Sequence, residues 1–298
     1  VTAPLYRPAP ALLPVMGIDS WLTGKRGAAL PFTDECEPLF PDPESFAAAF
    51  KELVTFGQER RWRSLEIRGG HHWATTVAPS VSFLGHRREL TSDSAALFNQ
   101  LDSSVRRAVR KAEQSGLEIE FSQSLESVRD FYRLLGKTRQ RHGVPPQPFR
   151  FFECIHRHVL DPGHGWVVLA RIGKMPVAGA VFLHSGRSAI YKFGGSDDAY
   201  QSLRANNLVM WRALEWYATH GFASMDFGRT SLGNEGLRRF KLSWGTSERA
   251  INYYKYDLRT NAFVTVHDQA SGWHSRVFRT LPRSVSQWIG TALYKHIA

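Results

Sequence analysis

Trp166-Val-Val-Leu-Ala-Arg-Ile172, Val177-Ala-Gly-Ala-Val-Phe-Leu-His184 and Ser188-Ala-Ile-Tyr-Lys-Phe-Gly194 are three apolar runs separated only by Gly173-Lys-Met-Pro176 and Ser185-Gly-Arg187. The runs have the length of strands and the separators carry turn residues, so the stretch predicts an antiparallel three-strand meander. A polar loop then leads into Asn207 to His220, a nearly all-apolar helix with Met210, Ala213, Leu214 and Tyr217 on its core face and Gly221 at its stop. Met225-Asp-Phe227 reads as a short strand, Asn234 to Trp244 as a short helix, and Ile251 to Leu258 and Phe263 to His267 as closing strands.

Upstream of the meander, Leu117-Glu-Ile-Glu-Phe121 alternates like a strand, and Leu125 to His142 places Val128, Phe131, Tyr132 and Leu135 on one helical face behind a Ser124 cap. Gly143 and the prolines of Val144 to Pro148 break the chain before a further helix, Phe149 to Leu160. The sharpest helical signal is Leu101 to Gly116, where Val105, Ala108, Val109 and Ala112 form a stripe, Ser103 or Ser104 can cap the start, and Gly116 suits a left-handed end. From Leu117 the order is therefore β-α-α-β-β-β-α-β-α-β-β. The first hundred residues repeat only its later part. Apolar runs at Ala11 to Ile18 and Gly27 to Phe32 precede a helix opened by Pro41-Asp-Pro-Glu44, with Phe46, Phe50, Leu53 and Phe56 on one face. A strand at Arg63 to Arg68 and a hairpin of Trp73 to Ala78 with Val81 to Leu84 follow.

This order, and three stretches within it, carry a resemblance. Ser104-Val-Arg-Arg-Ala-Val-Arg-Lys-Ala-Glu113, Asn207-Leu-Val-Met-Trp-Arg-Ala with Met225-Asp-Phe-Gly228, and Arg239-Phe-Lys-Leu-Ser-Trp-Gly245 resemble the basic helix, core helix and Phe-Lys-x-x-x-Gly segment of the Fem-type aminoacyltransferases, within the N-acetyltransferase (GNAT) superfamily. The resemblance implies an α/β fold of tandem GNAT-like domains with mixed central sheets, the first incomplete at its N-terminus. It divides the chain into a partial domain over 1–100, a complete acyltransferase domain over 101–268 and a basic tail over 269–298. It also implies a splayed central strand that leaves a slot for an acyl donor, and an acceptor in the cleft between domains. Two features depart from the pattern. Gln201-Ser-Leu-Arg-Ala-Asn-Asn207 lacks the glycines of many coenzyme A users, and no tyrosine lies between Tyr217 and Tyr253, where many relatives keep a general acid.

Whole-chain properties bound the rest. A length of 298 residues with 43% hydrophobic and 12% aromatic content supports real cores and argues against disorder. No run approaches the roughly 18–20 apolar residues of a membrane-spanning helix. The proline-rich start, Val1 to Pro10, is no secretory leader. Cys36 and Cys154 lack metal-ligand spacing; they read as small hydrophobes in a reducing cytoplasm, with a lone disulfide left open. A net charge of +11 favours anionic partners: RNA, phosphorylated carriers, coenzyme A or anionic lipid.

Acyl transfer to an amine needs a nearby donor carbonyl and stabilisation of the oxyanion. The motif match makes Lys241 the first catalytic candidate, and Asp34, Glu37 and Asp226 are candidate carboxylates for the amine's proton. Arg106 with Arg110 and Arg107 with Lys111 are like-charged i,i+4 pairs. Such pairs repel by a few tenths of a kcal/mol, which either a solvated face tolerates or a bound anion explains. Arg204, Asn206 and Asn207 at the start of the core helix are candidates for a carrier phosphate, because helix N-termini attract anions. Tyr191, Arg229, Arg239 and His142 complete the candidate substrate- or carrier-binding set. His71-His72, and His156 with His158, have no ligand spacing, so no metal is expected.

Three readings remain open from sequence. The first is a cytoplasmic aminoacyl- or acyltransferase that forms an amide on a cell-envelope or exopolysaccharide precursor, with acyl-CoA or aminoacyl-tRNA as donor. The second is a coenzyme A-dependent N-acetyltransferase of small amines, and the third a non-catalytic RNA- or membrane-binding module. Expected partners are a small-molecule or lipid-linked anionic acceptor and tRNA, but not DNA. In the tail, Val285, Trp288, Ile289, Ala292 and Leu293 form a helical apolar stripe beside Arg276, Arg279, Arg283 and Lys295, with no acid in the segment. The stripe suits peripheral contact with the inner face of the cytoplasmic membrane or packing on the protein's own sheet.

Overall fold

The computed structural model describes residues 11–70, 73, 77–266 and 278–297. It forms two compact units from interleaved segments: 1–84 with 250–269 and 295–298, and 85–249 with 270–294. The divisions expected at 100/101 and 268/269 follow the chain. The compact units are instead interleaved: residues 250–257 of the last long strand fall in the first unit and 247–249 in the second.

The first unit is a sheet with one principal helix. Strands β1 (Met16–Ile18), β2 (Arg26–Ala28) and β3 (Ser64–Arg68) are followed in the sheet by β10 (Ser247–Asp257), and β11 (Ala262–Phe263) folds back on β10. Helix α1 (Pro43–Glu59) starts where Asp42 accepts the Ser45 N–H at 2.6 Å and proline occupies the first turn. Its Phe50 packs on Tyr256 and Phe263, at centroid separations of 5.5 and 5.7 Å. Phe50 of the expected stripe thus faces the sheet, whereas Phe56 is exposed beneath the Arg60 guanidinium. Trp62 lies under Gly27, where any Cβ would collide with its ring. Of the strand expected at Trp73 to Ala78, residues 74–76 lie outside the described residues, and Trp73, Val77 and Ala78 are in turn or irregular structure.

The second unit carries the meander. Strands β5 (Glu118–Ser122), β6 (Gly165–Ile172), β7 (Met175–Ser185) and β8 (Ser188–Ser196) are successively antiparallel, and β9 (Ser224–Ser231) joins β8 in parallel. Both faces are covered, which is why the strands read as continuous apolar runs rather than alternating ones. Val168, Ala170 and Phe182 face helices α2 (Ser94–Asn99), α3 (Ser103–Glu113) and α6 (Ala205–Thr219). Val167, Leu169 and Val181 face α4 (Leu125–His142) and α5 (Phe149–Ile155). Buried Leu208, Val209, Met210, Trp211, Leu214 and Tyr217 surround α6 on most sides, as its composition predicts. Arg171 of β6 bonds Glu120 of β5 at 2.5 Å and Asp130 of α4 at 2.8 Å, pinning the sheet edge to the helix layer.

Three local expectations are corrected. Helix α3 is capped by Asp102, which accepts the Ser104 N–H at 2.7 Å, not by a serine. The helix expected over Phe149 to Leu160 becomes a π turn at His156–Leu160. Cys154 is exposed rather than a core hydrophobe, and both cysteines are free thiols. The remaining helices are α7 (Glu235–Leu242), capped by Asn234, and α8 (Arg283–Ile297). Among the described residues no helix is long and apolar enough to cross a membrane.

Candidate acyl-transfer site

The site begins where two strands part. β8 and β9 pair only over Ser188–Ile190 against Ser224–Asp226, although each continues for several residues. On its other edge β8 stays paired with β7, but the register slips between Val181 and Phe182 and leaves Lys192 as an extra residue. A bulge of this kind bends its strand and re-aims the neighbouring side chains. Tyr191, Gly194, Gly195 and Ser196 of β8 then line a cavity of about 170 Å³ with Thr138 and Arg141 of α4, Asn206, Val209 and Met210 of α6, and Phe240 of α7. Cavities of about 150 Å³ accept a benzene-sized guest, so this one suits a small acyl or aminoacyl group. Glycine is required twice: a Cβ at Gly194 would strike the Tyr191 hydroxyl, and one at Gly195 the backbone of Leu134 and Leu135. Burial pushes the Tyr191 phenol up to about 12, so it remains an O–H donor throughout the physiological range.

A second opening adjoins the first through Phe240, which lines both. It is a groove of about 470 Å³ between Ser104, Arg107 and Lys111 of α3, Arg204 and Asn207 at the head of α6, and Ser243. No side chain caps α6; the Asn207 N–H bonds the Arg204 carbonyl at 2.9 Å, and the positive dipole end of the helix can attract an anion. Arg204 holds φ 58°, the left-handed region that glycine would occupy without strain. An L-residue there costs about 1–2 kcal/mol, and such strain persists chiefly where a side chain is needed. The missing glycine is thus replaced by a cation that lines the groove. The 3₁₀ turn before it, Asp198–Leu203, is tied to α4 by the ion pairs Lys137–Asp197 and Arg141–Asp198.

The candidate residues divide accordingly. Tyr191 and Asn206 line the slot, and Lys111, Arg204 and Asn207 line the groove. Arg106 and Arg110 do not: Arg106 bonds the Asn99 carbonyl at 3.3 Å and Arg110 lies over the Phe98 ring at 5.6 Å. Helical phase separates them from Arg107 and Lys111. Lys241 is not on a surface. It is 4% exposed, and its Nζ donates to the carbonyls of Gly228 at 2.9 Å and Arg229 at 2.8 Å. Asp226 accepts the Gly228 N–H at 2.6 Å and faces Arg249 at 3.5 Å, so both residues hold the turn at Gly228, where φ is 71°. Arg239 is exposed on α7. His142 is exposed at the end of α4; partial desolvation first, and then Arg141, Arg139 and Arg279, lower its pKa. Asp34 and Glu37 belong to the first unit, where the Asp34 carbonyl accepts the Tyr253 hydroxyl at 2.6 Å and Glu37 accepts the Gly70 N–H at 2.8 Å.

Sequence reasoning missed Phe240, Thr138, Arg141 and His86. His86 is fully buried with Nδ1 3.7 Å from Glu248, and burial first, then the Lys241 charge, push its pKa down to about 4. It sits in the middle of β4 (Val81–Glu89) with no motif around it, so no sequence signal marked it. Among the described residues no group of three or more His, Cys, Asp or Glu could hold a metal ion.

Comparison with known families turns on this part of the chain. Residues 100–242 match the model of the acetyltransferase (GNAT) domain. This segment is similar to a GNAT domain. The Fem-type resemblance is borne out as well. The lipid II:glycine glycyltransferase of Staphylococcus saprophyticus is 29% identical over 100 residues, 31% of this chain and 24% of that protein. The match therefore spans about a quarter of that relative's length. The crystal structure of FemX superposes with a TM-score of 0.64 at 13% identity, over 80% of this chain and 83% of FemX. A tandem GNAT protein from the clavulanic acid biosynthesis pathway superposes with a TM-score of 0.52 at 8% identity, over 78% and 75% of the two chains. The fold is that of tandem GNAT proteins. The parting of β8 from β9 is the splayed strand expected of the GNAT domain, and the slot lies inside the matched segment.

Proposed function

We propose that the protein transfers an aminoacyl group from an aminoacyl-tRNA to an amino group of a lipid-linked cell-wall precursor. The observation that carries this reading is the small slot beside a cationic groove, with Phe240 lining both. A slot of that size suits the transferred group, and Arg107, Lys111, Arg204 and the α6 N-terminus suit the phosphates of its carrier. Identity with a lipid II:glycine glycyltransferase supports the acceptor class.

In this reading the acceptor nitrogen attacks the ester carbonyl held in the slot. The N–C bond forms, the carrier C–O bond breaks, and the leaving carrier hydroxyl takes a proton. The Tyr191 O–H supplies that proton and is restored by the one the nitrogen loses, which fills the role vacated by the absent tyrosine after β9. Lys241 and Asp226 are positioning residues that fix the Gly228 turn. The test is to incubate the full chain with a lipid-linked precursor bearing a free amine and with either labelled glycyl-tRNA or labelled acetyl-CoA. Label transferred from the tRNA supports the reading. Label transferred only from acetyl-CoA makes the protein an N-acetyltransferase, and transfer from neither donor overturns the enzymatic assignment.

A further inference from the structure

We propose that the outward face of α8 docks on an anionic lipid surface. Residues 283–294 of the helix are already seated on the second unit by small and polar positions. Ser286 is buried, Gly290 lies so close to the Pro146 carbonyl that a Cβ would collide with it, and the Tyr294 ring meets Phe151 at 5.5 Å. Its bulkiest side chain points elsewhere. Trp288 is 72% exposed and Val285 40% exposed, and Ala292 is exposed on the same stripe, at spacing i, i+3, i+7. A helix serving only its own core would turn tryptophan inward and the small residues outward. Here Trp288 points outward while Ser286 and Gly290 take the inward positions.

The charge of the segment selects the occupant. From Gln269 to Ala298 the chain has Arg276, Arg279, Arg283 and Lys295 and neither aspartate nor glutamate, within a protein of net charge +11. Arg279 is exposed just ahead of the helix. A protein groove would ask only for the apolar stripe, whereas an anionic bilayer rewards the tryptophan, which partitions to the headgroup level, together with the one-sided charge. The inference does not rest on the acceptor proposed above.

The test uses the full chain and vesicles of phosphatidylcholine alone or with about 30% phosphatidylglycerol, at low salt and at roughly 0.5 M salt. The wild type should pellet with the anionic vesicles at low salt, and release from them at high salt. It should stay in solution with phosphatidylcholine. The double variant Val285→Ser/Trp288→Ser, and separately Arg279→Glu, should each lose about tenfold in apparent affinity with an unchanged Tm. Transfer to a soluble acceptor analogue should be unaffected, which separates this inference from the fate of the enzymatic reading. Four outcomes overturn it: no pelleting of the wild type; pelleting indifferent to the variants; a lowered Tm, which makes the face structural; or a wild-type dimer that Trp288→Ser dissociates, which makes it a contact between copies.

Discussion

Lys241 and Lys111 belong to the same unit, each comes from a stretch of the family resemblance, and they do opposite things. Lys241 is 4% exposed and spends its ammonium on two backbone carbonyls, while Lys111 is exposed on the wall of the groove. The motif drew attention to the buried one. A charge already satisfied by fixed carbonyls has little left for a substrate, and an ammonium in an open groove is still available to a phosphate. In this unit, motif strength marks the residue that holds the site's shape, and exposure marks the residues that meet the ligand.

That contrast breaks most visibly through Lys241. Lys241→Ala should cost about 3 kcal/mol of stability by leaving the Gly228 and Arg229 carbonyls without their charged donor, measured as a fall in denaturant midpoint along with activity. A variant that folds normally and loses only turnover would return Lys241 to the chemistry. Next in size is Tyr191→Phe, expected to lower turnover by roughly ten- to a hundredfold with KM little changed, since it removes a proton donor and no binding surface. Unchanged turnover would remove Tyr191 from the mechanism. For the groove, Arg107→Glu with Lys111→Glu should raise the donor KM about tenfold and flatten its salt dependence, while Arg106→Glu with Arg110→Glu should do less. Equal effects from both pairs would mean the whole helix face, not the groove, attracts the donor.

A smaller effect concerns His86. Its folded pKa of about 4 lies below the usual 6.5, so unfolding takes up a proton between those values. The contribution of neutral His86 is intact above pH 6.5 and is lost as pH falls toward 4, at no more than about 1.4 kcal/mol per unit. His86→Leu should therefore flatten the acid limb of Tm against pH, and an unaltered limb would assign acid sensitivity to other groups.

How much of this was legible in the sequence follows from the range of the forces involved. The order of elements was readable because the meander's turns and the α3 and α4 stripes are local signals; α1 and its phenylalanine face were readable for the same reason. The Asp102 cap was missed because Ser103 and Ser104 lie beside it and the side-chain oxygen of any of the three can accept from a first-turn N–H. In the site, Arg204, Asn206 and Asn207 were readable from their place before an apolar helix. Thr138, Arg141 and Phe240 were not, since they come from α4 and α7 and meet the slot only through tertiary packing. The division of Arg107 and Lys111 from Arg106 and Arg110 turns on about 100° per residue of helical phase, which needs the position of α6 to resolve.

In the proposed reaction the groove at the head of α6 receives the donor's carrier, and Arg204→Gly tests this with stability and binding pulling apart. Glycine relieves the left-handed strain at this position, where φ is 58°, so Tm should hold or rise slightly. Donor Kd, measured by titration at two salt concentrations, should nonetheless weaken about five- to tenfold and become less salt-dependent, because one cation of the groove is gone. A donor Kd and salt slope identical to the wild type would contradict the account.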